Sequence, residues 1–130
     1  MEYLIGVILA LAISIFATVV GFDRSRAFYP VVMIVIATYY ALFALMGGSQ
    51  RALALECVVI AGFVTASVLG FKLNLWWVVA ALFAHGVFDF IHGHLISNSG
   101  VPLWWPGWCL SYDVTAAGYL AWLLRRSGIK

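Results

Sequence analysis

The chain alternates between long apolar runs and short polar or glycine-containing segments. Each run is long enough, at about 20 residues, to cross the hydrocarbon core of a bilayer as a helix. The apolar–polar alternation typical of membrane β-barrel strands is missing. The pattern predicts one all-α membrane domain over residues 1–130, with five transmembrane helices at about residues 3–22, 30–46, 51–71, 73–96 and 103–124.

Composition supports the same class of protein. Of the 130 residues, 65% are hydrophobic and 9% are charged, and the mean hydropathy is +1.07. A soluble domain of this size could not bury so much apolar surface. The net charge of +2 is too small to indicate a nucleic-acid partner. The first run follows Met1, Glu2 and Tyr3 without a basic segment, which favours a retained helix over a cleaved signal peptide.

Basic residues are distributed unequally between the two ends of the five predicted helices. One side has Arg51 alone, and the other has Arg24, Arg26, Lys72, Arg125, Arg126 and Lys130. Loops rich in lysine and arginine remain in the cytoplasm. We therefore expect the N-terminus outside and the C-terminus in the cytoplasm, in a bacterial inner membrane.

The fourth apolar run carries an unusual set of polar residues. His85, Asp89 and His92 fall within about 60° of one another on a helix with about 100° per residue, whereas His94 points away. A charged group at the centre of a transmembrane helix costs about 2.5–3.5 kcal/mol on insertion scales. A bound metal ion is the first candidate for offsetting that cost.

Two acidic residues on neighbouring helices match these residues in depth. With a rise of 1.5 Å per residue, Glu56 lies about 7 Å and Asp113 about 15 Å below the outer boundary, while His92 and His85 lie about 6 and 16 Å below it. The spacing predicts one shared pocket in the outer half of the membrane. The same helix faces are mainly apolar towards the cytoplasm, which favours a pocket over a channel.

The predicted donors are typical of a site for a divalent metal. Imidazole and carboxylate groups favour zinc, with iron and manganese as alternatives, and a second metal could share so many ligands. A metal-free network of histidines and protonated acids that specifies helix packing is the competing interpretation. Cys109 fits best as a small apolar filler. The expected metal ligands are His85, Asp89, His92, Asp113 and Glu56.

These residues resemble a pattern from an uncharacterised family of small bacterial multi-span membrane proteins, a domain of unknown function. The resemblance covers about residues 47–118, and it implies a common fold and site without indicating an activity. Family members often have a second histidine where this chain has Gly93, followed here by His94. The chain is also faintly similar to intramembrane zinc hydrolases of the ceramidase and progestin-receptor superfamily. The pattern is carried by Gly47-Gly48, Glu56, His85-x-x-x-Asp89-x-x-His92, Pro102, Pro106 and Cys109-x-x-x-Asp113.

A metal-dependent hydrolase acting on a lipidic substrate is the functional hypothesis that fits these residues best. Zinc lowers the pKa of bound water towards about 7 and polarises the bond to be cleaved. In this hypothesis Glu56 is the general base, Asp113 is a ligand or orients one, and the tryptophan-rich segment 101–108 covers the pocket mouth. A di-metal oxidase is a variant.

The alternative from another class is a non-catalytic membrane subunit or a metal or proton carrier. Gly62, Ala66 and Gly70 recur every four residues, a stripe that allows helices to approach closely. This stripe suits a homo-oligomer or a subunit of a membrane complex. In every version the lipid bilayer is the expected partner.

Overall fold

The computed structural model describes residues 2–25, 27–96 and 100–127. These residues form helices and turns without any strand, so the predicted all-α fold is confirmed. Each predicted helix boundary lies within three residues of the observed one. The helices are α1 (Glu2–Val20), α2 (Phe28–Gly47), α3 (Gln50–Lys72), α4 (Trp76–Leu95) and α5 (Trp105–Ser127), with a short 3₁₀ turn at Phe22–Arg24.

Three of the described helices, α1, α2 and α3, are long and apolar enough to cross a membrane. α4 contributes a shorter apolar stretch, Trp76–His92, because its second half carries ionisable residues. α5 is less apolar, since it contains Asp113 and ends in Arg125 and Arg126. Three of the five predicted spans are therefore supported by the length and composition of the observed helices.

Local signals explain where the helices begin and end. Gly21 and Gly48 follow α1 and α2 with φ angles of 98° and 73°, a left-handed conformation that glycine adopts without strain. Ser49 then caps α3, because its side-chain oxygen accepts a hydrogen bond of 3.1 Å from the backbone N–H of Ala52.

Removal of this cap should cost a modest amount of stability. We expect Ser49→Ala to lower the free energy of unfolding by about 1 kcal/mol, since one N–H at the start of α3 loses its partner. Unfolding by titration with a denaturing detergent would measure the loss. Ser49→Asp is the control, because aspartate caps helices equally well and should leave the stability unchanged.

The helices form a bundle in which α5 packs between α1 and α4, while α3 packs against α2 and α4. α2 also contacts α4 and so closes the bundle around a core that includes Met33, Tyr40, Val78 and Leu82. Close approach depends on glycine at two crossings. A Cβ atom on Gly6 would lie 2.5 Å from the backbone oxygen of Trp108, and one on Gly70 would meet the Val78 side chain.

Large apolar side chains cover the outside of the bundle. Val19, Val58 and Met46 are 78%, 73% and 70% exposed, and each lies on a helix that is apolar enough to cross a membrane. Such a continuous apolar exterior would cause aggregation in water and suits a lipid environment.

The tryptophans do not all lie on this exterior. Trp77, Trp104 and Trp122 are about half exposed, as expected of residues that anchor helices at a membrane interface. Trp105 is buried instead, with its ring 4.7 Å from that of Phe43 in an edge-to-face contact. A tryptophan near a helix end would be expected to anchor at a membrane interface, but Trp105 belongs to the core.

The small-residue stripe on α3 makes close contact at one end only. Gly70 packs tightly against α4, whereas Gly62 has open space where a side chain would be. The two helices diverge there, and a groove of about 350 Å³ lies between them, bordered by Gly62, Phe63 and Ala84.

Candidate metal centre

His85 on α4 and Asp113 on α5 meet at a close crossing of the two helices. Gly86 permits this approach, because a Cβ atom there would lie only 3.3 Å from the Cβ of Asp113. Nδ1 of His85 is 2.7 Å from Oδ2 of Asp113 and 3.1 Å from Oδ2 of Asp89. All three side chains are at most 1% exposed, so the charges lie in an environment that cannot solvate them.

Asp89 is held in place by a tyrosine on α2. The Tyr40 hydroxyl donates a hydrogen bond of 2.5 Å to Oδ1 of Asp89. The other oxygen, Oδ2, is buried without a hydrogen-bond partner. An imidazole nitrogen carries at most one proton, so Nδ1 of His85 cannot donate to both carboxylates. One buried carboxylate oxygen thus points into the centre with its lone pairs unused.

Cys109 completes a group of four potential donors. It lies one helical turn before Asp113, with Sγ 3.9 and 3.8 Å from Oδ1 and Oδ2 of that residue. One donor atom from each of His85, Asp89, Cys109 and Asp113 lies within 4.8 Å of the others, and all four residues are buried. This group could hold a metal ion. The sequence interpretation gave Cys109 a filler role, although its spacing from Asp113 places both on one helix face.

Glu56 and His92 form a separate pair beside this group. Nε2 of His92 is 2.6 Å from Oε2 of Glu56, and both side chains are buried. The ring of Tyr40 stacks on that of His92, with the centroids 4.0 Å apart and the planes 14° from parallel. The structure therefore brings all five sequence-predicted ligands into one region, but Glu56 and His92 stand apart from the four donors. His94 is exposed, as expected from its position on the opposite side of α4.

Tyr40 is the residue that sequence reasoning missed. A signal was available, because Tyr40 lies seven residues before the end of α2, about 10 Å from that end. Asp89 lies six residues before the end of α4, at a nearly equal distance of about 9 Å.

Apolar side chains surround the centre on its remaining sides. Val78, Leu82 and Leu120 fill the core towards the start of α4 and the end of α5, and the Phe63 ring approaches His85 edge-on at 4.8 Å. Trp105, which belongs to the segment 101–108 expected at the pocket mouth, packs edge-on against Tyr40. The cavity of about 570 Å³ between α1, α2 and α5 reaches Tyr112 but includes none of the four donors. The centre is closed, not open as the sequence suggested.

Comparisons with models of known protein families, with curated proteins and with solved structures find no match for this chain. The family resemblance described from the sequence stays a prediction.

Proposed function

We propose that this protein is a five-helix membrane protein that binds one divalent metal ion through His85, Asp89, Cys109 and Asp113. Oδ2 of Asp89 is the observation that carries the proposal, since it is buried without a hydrogen bond, lies 3.1 Å from Nδ1 of His85 and belongs to a residue of the four-donor group. A cation would neutralise the two adjacent carboxylates and use this oxygen. Tyr40 would then orient Asp89 from behind, as hydrogen-bonding partners of metal ligands commonly do.

The donor set favours zinc. One sulfur, one nitrogen and two oxygens suit a tetrahedral zinc site, whereas magnesium and calcium prefer oxygen donors alone. Nitrogen and oxygen donors around tetrahedral zinc lie about 3.3 Å apart, so Nδ1 of His85 and Oδ2 of Asp113 would separate by roughly 0.6 Å from their present 2.7 Å. Iron and manganese are the alternatives that the same residues allow.

All five helices cross the membrane in this proposal, with the N-terminus outside and the C-terminus in the cytoplasm of a bacterial cell. The described basic residues Arg24, Lys72, Arg125 and Arg126 support that orientation; Arg26 and Lys130 lie outside the described residues. A cysteine placed at Ser25 should be protected from a membrane-impermeant maleimide in intact spheroplasts and react once they are broken. Reaction in intact spheroplasts would contradict this orientation.

The closed geometry supports a stable metal site more directly than a catalytic one. Structural zinc sites use four protein ligands, whereas catalytic sites leave one position open for water or substrate. Hydrolysis of a lipidic substrate stays a prediction, and it requires that Cys109 leave the coordination sphere. Glu56, the expected general base, would also have to leave His92.

The proposal is tested by the metal content of the protein purified in mild detergent. We expect about one zinc ion per chain, with the four ligands of a closed site. Cobalt substitution should give a thiolate-to-cobalt absorption band that disappears in Cys109→Ser. Cys57→Ser is the matched control, because Cys57 is exposed on α3 and should leave the band intact.

Two results would count against the proposal. Metal well below one ion per chain in the wild type would favour the metal-free network and a purely structural membrane subunit. A full metal content without a thiolate band would remove Cys109 from the ligand set and restore an open position for water. Release of fatty acid from ester or amide lipids should then be measured.

A further inference from the structure

The Glu56–His92 pair occupies a distinct position relative to the four donors. Glu56 lies in the second turn of α3, and His92 lies in the last turn of α4. These helix ends are on the outer side in the proposed orientation. Both side chains are almost completely buried, at 1% and 2% exposure. The pair therefore separates the metal centre from the outer face.

Among the described residues, no further buried histidine or acidic side chain lies on the cytoplasmic side of the centre. The buried polar residues of the described chain other than the centre and this pair are Ser14 and Ser67. Val78, Leu82 and Leu120 fill the cytoplasmic side of the core. An ion that has lost its water cannot cross such an apolar layer without a large free-energy cost. A metal ion that enters from the outer side would instead meet side chains that can bind it.

Along α4 these ligands follow one another at helical spacing. His92, Asp89 and His85 are separated by three and four residues, which corresponds to rises of about 4.5 and 6 Å. An ion moving inward along α4 would therefore have to travel only about one helical turn from one donor to the next. Ion pathways need sites that bind strongly enough for entry and weakly enough for release. A pair with two donors meets that condition better than a site with four.

Tyr40 lies between the pair and the centre. Its ring stacks on His92, and its hydroxyl donates to Asp89, so it contacts both groups at once. The side chain has to shift for an ion to pass from His92 to Asp89. Tyr40 therefore separates the two groups of ligands.

We propose that Glu56 and His92 form an entry site through which a divalent ion from the outer face reaches the buried centre, with Tyr40 as the barrier between them. This inference rests on the proposed metal-binding function. It assigns the pair a role in the rate of loading and none in the final coordination. The pair is thereby distinguished from the four ligands.

Cobalt loading of the metal-free protein tests the inference, because cobalt reports both rate and coordination by absorption. We expect Glu56→Gln, which keeps the side-chain shape, to slow loading by about tenfold or more, since a negative charge on the path raises the rate of cation entry. The final spectrum and stoichiometry should match those of the wild type. His92→Gln should behave in the same way. His94→Ala is the control on the exposed face of α4 and should load at the wild-type rate.

The possible results separate the two proposals. Unchanged loading rates in both variants would overturn the entry site while leaving the metal centre intact. Altered cobalt spectra would also overturn it, since Glu56 or His92 would then be a ligand of the centre. A wild-type protein that binds no cobalt would overturn the proposed function itself, before any rate is compared. Helical circular dichroism checks that each variant is folded.

Discussion

Replacement of His85 by alanine should abolish metal binding and destabilise the bundle by about 3–5 kcal/mol. The imidazole lies between two buried carboxylates, 2.7 Å from Asp113 and 3.1 Å from Asp89. Its loss removes one ligand and leaves both acids in an apolar environment without a basic partner. Removal of one member of a buried ion pair is costly because the remaining charge stays desolvated.

Zinc content and the free energy of unfolding, measured on the same preparations, would check this result. His94→Ala is the matched control, because His94 is a histidine of the same helix that lies exposed. It should retain its zinc and the wild-type stability. A His85→Ala protein that kept one zinc per chain would contradict the assignment of His85 as a ligand.

Replacement of Gly86 by leucine should separate α4 from α5 and abolish metal binding, as the loss of a ligand does. The Cβ atom alone would lie 3.3 Å from three atoms of α5: the Cβ of Asp113, the backbone oxygen of Leu110 and the Cγ2 of Val114. A leucine side chain adds three more carbon atoms to this tight contact. Overpacking of this kind typically costs about 1–3 kcal/mol, and His85 and Asp113 would no longer meet.

Gly62→Leu provides the control for the second substitution. Gly62 also lies within a helix, but no atom of another residue lies within 4 Å of the position that its Cβ would take. We expect this variant to keep its zinc and to be as stable as the wild type or slightly more stable, since glycine is a poor helix former. Equal metal loss in both variants would show that the contact at Gly86 is not what holds the site together.

The helical class and the helix boundaries could be predicted because apolar runs of bilayer length are strong signals. The depth of each polar residue along its helix was equally informative. A constant rise of about 1.5 Å per residue places Glu56 near His92 and Asp113 near His85. The structure shows both of these contacts. The prediction needed only the alternating direction of successive helices.

The division of the site into two groups could not be predicted. Helix phase gives the face on which a residue lies, but not which neighbouring helix that face meets. Tyr40 shows the difficulty, because its participation depends on α2 contacting α4, a contact between helices that are not adjacent in sequence. The buried position of Trp105 could not be predicted for a related reason. A tryptophan near a helix end is equally compatible with a lipid interface and with packing on Phe43.

All four proposed ligands come from α4 and α5, which follow α1, α2 and α3 in the chain. Proteins are synthesised from the N-terminus, and early segments can assemble before later ones exist. Asp113 is the last of the four residues to be made, so an ion can be captured only after α1 to α4 have been translated. Metal availability would therefore act after the first three helices have been made, by fixing the hairpin of α4 and α5 onto them.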